Sequence, residues 1–172
     1  MVKSRFDKVY VGGTSIGANL AIFLASRHPE ISGLVLMATP YKLRIERLSL
    51  FFAKLLRKFK RYNRKFYPPT FGVSTTLTRI ISYQTYPVDS ALETFNLVKA
   101  SREKIPLVTQ PCFLLQSSSD HIVSRNNMDS IYNKITSKIK KKQYIHRAYH
   151  TFISDIKNEH VFEDILNFLN EN

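Results

Sequence analysis

Five residues near the start of the chain, Gly13-Thr14-Ser15-Ile16-Gly17, constrain its fold more than any other feature. They stand between two runs of different periodicity. Phe6–Gly12 is β-rich and ends in glycine, whereas Ile16–Arg27 spaces Leu20, Phe23 and Leu24 as a helix does, with Ala18, Ala21 and Ala25 between them. The pattern predicts a buried strand, a very tight turn and a helix with a close-packing face that stops near Pro29. Such a turn leaves no room for large side chains two residues either side of the serine, a need Gly13 and Gly17 meet. It lifts the serine hydroxyl above the sheet edge beside a helix N-terminus, where the Ile16 N–H is placed to stabilise an oxyanion. An ordinary glycine-rich strand–helix turn has the same composition, so the serine's meaning depends on what accompanies it.

Gly33–Ala38 reads as a second buried strand, completing a β-α-β unit with parallel strands. The alternation then breaks. Leu48–Tyr62 places Leu48, Phe51, Phe52, Leu55, Phe59 and Tyr62 on one helical stripe, with Lys54, Arg57, Lys58 and Arg61 elsewhere. Pro68-Pro69 ends that helix, Pro87 and Pro106 punctuate the chain beyond it, and Ser90–Arg102 reads as helix. The stretch from about 41 to 105 is therefore expected to be a helical cap inserted into the sheet domain. Alternation resumes with a strand at Cys112–Gln116, a helix at Arg125–Ile135 and a strand at Lys140–Ile145. A last amphipathic helix, Glu159–Leu169, turns Val161, Phe162, Ile165, Phe168 and Leu169 inward. The expectation is one α/β domain over residues 1–172, a mostly parallel sheet with a helical insertion.

A serine hydroxyl is a poor nucleophile without a base, and the base needs an orienting carboxylate. At a strand–serine–helix turn of the Gly-x-Ser-x-Gly type, the nucleophile elbow, the partners come in the order serine, acid, histidine. The loop Ser117-Ser118-Ser119-Asp120 after the Cys112–Gln116 strand offers Asp120, a residue that also serves simply as a turn former. Ala148-Tyr149-His150-Thr151-Phe152, between the last strand and last helix, offers His150. His146, four residues earlier, is the alternative base. His28 sits at a helix end beside Pro29, His121 adjoins Asp120, and His160 falls in the final helix.

The charge is lopsided. Lys and Arg total 26 against 13 acidic residues, a formal +13. Between Lys42 and Lys65 lie ten basic residues and one acid, Glu46, which together carry +9 of that excess. Lys138, Lys140, Lys141 and Lys142 form a second cluster. Such surfaces attract polyanions in general, or are simply solvated. One cysteine excludes an internal disulfide and a multi-cysteine zinc site, so neither a metal nor another cofactor is expected. The longest apolar runs fall far short of the ~20 residues of a membrane-spanning helix. Met1–Lys8 is polar and charged with no apolar region after it, unlike a signal peptide. The expected setting is cytoplasmic, at most peripheral to a membrane.

Three segments resemble the α/β-hydrolase superfamily, and within it the small-lid carboxylesterases and monoacylglycerol lipases, the serine aminopeptidase-like hydrolases. Val9–Gly17 resembles the elbow. Pro111–Val123 resembles the acid strand, where the family has Gln-Gly-x-x-Asp and this chain has Gln116-Ser117-Ser118-Ser119-Asp120. Tyr149–Asp155, with Val161–Leu169 after it, resembles the histidine loop and closing helix. The resemblance implies Ser15 as nucleophile, Asp120 as orienting acid, His150 as general base and the Ile16 N–H in the oxyanion hole. It also implies a lid in which Phe51, Phe52, Leu55 and Phe59 line the acyl site or touch lipid. Ser117 stands where the family has glycine, and Ala18 where a second elbow glycine is common. The elbow serine comes at position 15, ahead of which the family carries strands and a His-Gly-type loop resembling the second oxyanion donor.

Three readings are open. The first is a serine hydrolase of carboxylic esters, acting on a small ester or acylglycerol. The second is an inactive fragment or part of a split enzyme, in which a partner chain supplies the missing strands. The third is a binding module using Lys42–Lys65 to hold anionic lipid or nucleic acid, with Phe51, Phe52, Phe59, Tyr62, Phe66 and Tyr67 interleaved among the cations. Nucleic acid is disfavoured, because the aromatic spacing matches a helical stripe and no nucleic-acid motif is present.

Overall fold

The structure, a computed structural model, describes residues 5–43, 46–64, 83, 85–146, 148–150, 152–154 and 159–172. Arg44, Lys65, Phe66, Tyr67, Pro68-Pro69, Thr151 and Asp155 lie outside the described residues.

Four strands, β1 (Tyr10–Thr14), β2 (Gly33–Met37), β5 (Cys112–Ser117) and β6 (Lys140–Ile145), form one parallel sheet in the order β1-β2-β5-β6. The fold is the expected α/β arrangement, a parallel sheet with helices on both faces, and β1 stands at one side of it. The pleat explains its two-sided core. Leu34, Leu36, Cys112 and Leu114 point to one face, where α1 (Ile16–Ala25), α4 (Asn126–Lys134) and the turn after α3 (Val88–Lys104) cover them. Val35, Phe113, Leu115 and Ile145 point to the other, under Phe152 and α5 (His160–Glu171). β2 and β5, flanked on both sides, are buried almost throughout, as near-continuous apolar runs require. The outer strand β6 carries Lys140, Lys141 and Lys142, charges that discourage edge-to-edge pairing.

Several elements depart from expectation. The first strand begins at Tyr10, not Phe6, because its partner β2 starts opposite Tyr10, and Phe6 is exposed. On α1 the small residues make the contact, as the close-packing face predicts: Ala18, Ala21 and Ala25, with Ile22, are buried, while Leu20 and Leu24 stand in solvent. Phe162 is likewise exposed on α5, so the inward stripe there is Val161 and Phe168, with Ile165 and Leu169 packed against them.

The helix expected over Leu48–Tyr62 is α2 (Glu46–Arg57). Beyond it Tyr62–Arg64 forms β3, antiparallel to β4 (Thr85–Pro87). Pairing across that small two-stranded ribbon takes the residues that one further helical turn would have used. α3 packs on α1, and the Asn19 side chain donates to the Ser101 hydroxyl and to the Pro40 carbonyl, fixing both to the end of β2. Arg102 donates to the Tyr41 carbonyl and to Glu46, tying α2 to α3. The Gln110 amide meets the Ala25 and His28 carbonyls at the end of α1.

Candidate active site

The site stands at the carboxyl ends of the strands, where ligands of open α/β sheets bind. β1 runs into Ser15, which holds φ 55° and ψ −121°, a conformation costing an ordinary residue ~1–3 kcal/mol. Its N–H bonds to the Met37 carbonyl, which holds the turn against β2. Gly13 is required sterically, since a Cβ there would lie 2.3 Å from the backbone of Gly17. A Cβ on Gly17 would meet nothing within 4 Å, so the expectation that both glycines are needed holds for Gly13 alone. Ile16, the first helical residue, has no intrahelical acceptor for its N–H.

Three side chains distant in sequence meet here. His150 Nε2 lies 3.0 Å from Ser15 Oγ, and His150 Nδ1 lies 2.7 Å from Asp120 Oδ2. A carboxylate only accepts, so Nδ1 carries the proton toward Asp120 and Nε2 is left to accept from the serine hydroxyl. The Asp120 side chain is fully buried and that of His150 nearly so. Asp120 also accepts from the N–H groups of Ile122 and Val123 and from the Gln116 amide. Burial alone would push the Asp120 carboxyl up, but the hydrogen bonds to His150 and to the two backbone N–H groups outweigh it and hold the pKa below the usual carboxylate range.

Of the other histidines, His146 bonds to Ser118, His28 pairs with Glu30, His121 stacks edge-on with Tyr149, and His160 is exposed on α5. Only His150, of the five, meets Ser15. Cys112 is buried, which pushes its thiol up to about 12 against the opposing pull of Lys140. Among the described residues no group of three or more His, Cys, Asp or Glu is arranged to hold a metal ion.

Two supporting residues went unassigned in the sequence. Gln116, fully buried, reaches Asp120, and its signal was a lone polar side chain ending an apolar strand. Ser117 donates to the Ala148 carbonyl two residues before His150 and accepts from the Ser119 N–H, so it ties the acid loop to the histidine loop. Its hydroxyl occupies the place where the resembling family has glycine.

An apolar groove of about 390 Å³ lies between α2, the β3–β4 ribbon and α3, walled by Leu48, Phe52, Leu56, Tyr86, Val88 and Phe95 among others. Ser15 is not part of its wall. Of the four side chains expected at an acyl site, Phe52 lines the groove, whereas Phe51, Leu55 and Phe59 are turned to solvent. The helical advance of ~100° per residue explains it: Leu48, Phe52 and Leu56 share one face, and Phe51, Leu55 and Phe59 lie roughly 60° around.

The family described as serine aminopeptidase, S33, matches residues 2–157. The chain belongs to it. Among similar proteins, the thermostable monoacylglycerol lipase of Bacillus sp. (strain H-257) is 24% identical over 169 residues, 97% of this chain and 64% of the lipase. The carboxylesterase of Bacillus subtilis (strain 168) is 20% identical over 168 residues, 95% of this chain and 64% of the esterase. The chain thus spans just under two-thirds of the length of these relatives. Among solved structures, one reported for the metagenome-derived lipolytic enzymes LipS and LipT superposes with a TM-score of 0.86 at 22% identity, covering 99% of this chain and 68% of that one. The monoacylglycerol lipase of Paleococcus ferrophilus superposes with a TM-score of 0.77 at 16% identity, covering 98% of this chain and 70% of the lipase. At these identities the superpositions establish the fold.

Proposed function

We propose that this S33-family chain carries the machinery of a serine hydrolase of carboxylic esters, with acylglycerols as the substrate class. One observation carries the reading: the continuous series Ser15 Oγ–His150 Nε2 and His150 Nδ1–Asp120 Oδ2, set on a strained turn at the mouth of the sheet. His150 accepts the Ser15 proton as Oγ attacks the ester carbonyl. The Ile16 N–H faces the developing oxyanion. The tetrahedral adduct collapses, the alcohol leaves with the proton from His150, and Ser15 holds the acyl group. Water, deprotonated by His150, then releases the acid and regenerates the hydroxyl. Asp120 stays ionised and keeps the imidazole in the productive tautomer. The choice of acylglycerol rests on the names of the relatives and on the apolar surfaces of α2, which acts in this reading as the lid.

The test is labelling with a fluorophosphonate probe alongside hydrolysis of a short monoacylglycerol. Labelling of the folded protein that disappears in Ser15→Ala supports the reading; folded protein that stays unlabelled, or labelling that survives the substitution, overturns it.

A second reading is favoured by one feature of the sheet. Among the described residues no strand pairs with the outer edge of β1. Sites of this type take a second oxyanion N–H from a loop after an earlier strand. In this reading an additional polypeptide segment, in cis or as a partner chain, adds to β1 and brings that donor. Without it, turnover falls by the ~10²–10³ that one donor is worth, while the Ser15–His150–Asp120 contacts persist.

A further inference from the structure

We infer that the outer face of α2 is a docking surface for an anionic lipid bilayer, and that it works whether or not Ser15 is catalytic.

Going round α2, three strips succeed one another. The first, with Ser49, Ala53 and Leu56, is half-buried beside the groove next to α3. The second is an apolar seam at helical spacing, Phe51 and Leu55 continued by Phe59 just past the helix end, exposed to 62%, 45% and 79%. The third, on the far side of that seam, holds Lys54 and Lys58, with Arg61 and Lys60 beyond the helix; all four are exposed. Large aromatic and leucine side chains left in water over two helical turns forgo burial, so the seam stores affinity for an apolar phase.

The charge around the seam is one-sided. Among the described residues the acids near it are both engaged: Glu46 by Arg102 at 2.8 Å and Asp89 by Arg57 at 2.7 Å. No ion pair among the described residues uses Lys54, Lys58, Lys60 or Arg61. The second basic cluster differs. Lys142 pairs with Asp129, Lys140 is held by the Tyr132 and Ile135 carbonyls, and Lys141 lies over the Phe113 ring. Lys138 is also exposed and outside these ion pairs, and Arg61 lies over the Tyr62 ring, so what distinguishes the α2 side is that Lys54, Lys58 and Lys60 stand together beside an exposed apolar seam.

An apolar seam bordered by unpaired cations is the arrangement of a helix lying in the plane of a lipid interface. The aromatics sink to the acyl boundary while the lysines meet phosphate headgroups. The charges select an anionic surface, and the phenylalanines select lipid over a soluble polyanion. Leu48 and Phe52, each about half exposed, belong at once to the seam and to the wall of the groove, so the groove borders the surface that touches lipid.

The experiment is flotation of the full chain with neutral phosphatidylcholine vesicles and with vesicles containing about a third phosphatidylglycerol. It is run at low and high salt, with native fold checked by circular dichroism. Binding to the anionic vesicles is expected to exceed binding to neutral ones at least tenfold and to fall with salt. The double substitution Lys54→Glu/Lys58→Glu removes attraction at roughly fivefold or more per lysine. The double substitution Phe51→Ser/Phe59→Ser leaves the charge untouched yet abolishes stable binding. Equal binding to both vesicle types overturns the inference, as does no binding, or indifference to the phenylalanines. Two further outcomes overturn it: single-stranded DNA bound as tightly as anionic vesicles, or concentration-dependent self-association that the phenylalanine variant relieves. Fluorophosphonate labelling is unaffected by any of these results, so failure here is separate from failure of the hydrolase reading.

Discussion

Gly13 and Gly17 are equivalent in the sequence pattern and unequal in the fold. Alanine at Gly13 drives a methyl into the Gly17 backbone, which neither neighbour can escape without reopening the turn. Gly13→Ala is expected to cost about 1–3 kcal/mol. Gly17→Ala points its methyl into open space and is expected to stay within about 0.5 kcal/mol of the parent. Urea midpoints check both, and equal losses would show that the turn needs two glycines after all. Asp120 gives a second residue-level prediction. Its folded pKa lies below the unfolded value, so the carboxylate's contribution to stability is fully present above the unfolded pKa of ~3.9 and is lost as pH falls through the lower folded value. Unfolding midpoints measured between pH 5 and 2 are expected to fall in the parent with a component that Asp120→Asn lacks; parallel slopes would contradict the assignment. At this scale the sequence was most legible where chemistry restricts residue type. Ser15, Asp120 and His150 stood out because a hydroxyl, an acid and an imidazole must come after the ends of successive strands. The positive φ of 47° at buried Ala38 was invisible, because no glycine announced it. So was the Ser117–Ala148 tie, since a serine in a serine-rich loop looks like any turn residue.

At the scale of elements, α2 is held on by two ion pairs of different worth. Arg57–Asp89 is largely exposed, and a pair of that kind contributes ~0–1 kcal/mol. Arg102–Glu46 is mostly buried, and the same guanidinium also donates to the Tyr41 carbonyl. Removing the Glu46 charge leaves that arginine short of a partner, at ~1.5–3 kcal/mol for a hydrogen bond to a charged group. Asp89→Asn is therefore expected to leave thermal stability within a degree or two of the parent, while Glu46→Gln lowers it clearly and raises hydrogen exchange along α2. Equal effects would mean that groove packing, not Arg102, anchors the helix. Elements marked by an apolar run, by helical periodicity or by their place in the strand–helix alternation were readable to within a few residues: β5, β6, α4 and α5 all fall close to their expected spans. The periodicity of α2 was also plain, but its end was not. Tyr62 continues the helical stripe in sequence, yet pairs with Pro87 in the fold, a long-range contact that no local pattern encodes. The same limit misplaced Phe162, because a sequence shows which side chains are apolar and not how many elements come to cover them.

For the molecule as a whole, the edge of β1 decides how far the site is complete. The Ser15 N–H bonds to the Met37 carbonyl, and the Ser32 N–H bonds to the Val9 carbonyl. By the alternation of a strand, Val11 and Gly13 direct their N–H groups to the β2 side as well, and Tyr10, Gly12 and Thr14 direct theirs away from it. α1 continues from β1 onto one face, and α5 is bound to the strand on the other by the Tyr10 hydroxyl, which donates to the Leu169 carbonyl. Leu20 and Leu24 on α1 and Phe162 and Leu166 on α5 remain exposed. Amide exchange read residue by residue therefore discriminates between an open edge and a covered one. With the edge open, Tyr10, Gly12 and Thr14 are expected to exchange orders of magnitude faster than Val11, Gly13 and Ser15, at the rate of local fraying. A complementary segment added in cis or in trans is expected to slow those three amides selectively, and turnover to rise in step as the second oxyanion donor arrives. Alternate amides that are equally protected in the chain by itself, at every protein concentration, would show that the edge is already covered. Under the proposed hydrolase reading, low turnover would then have to be traced to α2 or to the choice of substrate, because an uncovered edge could no longer explain it.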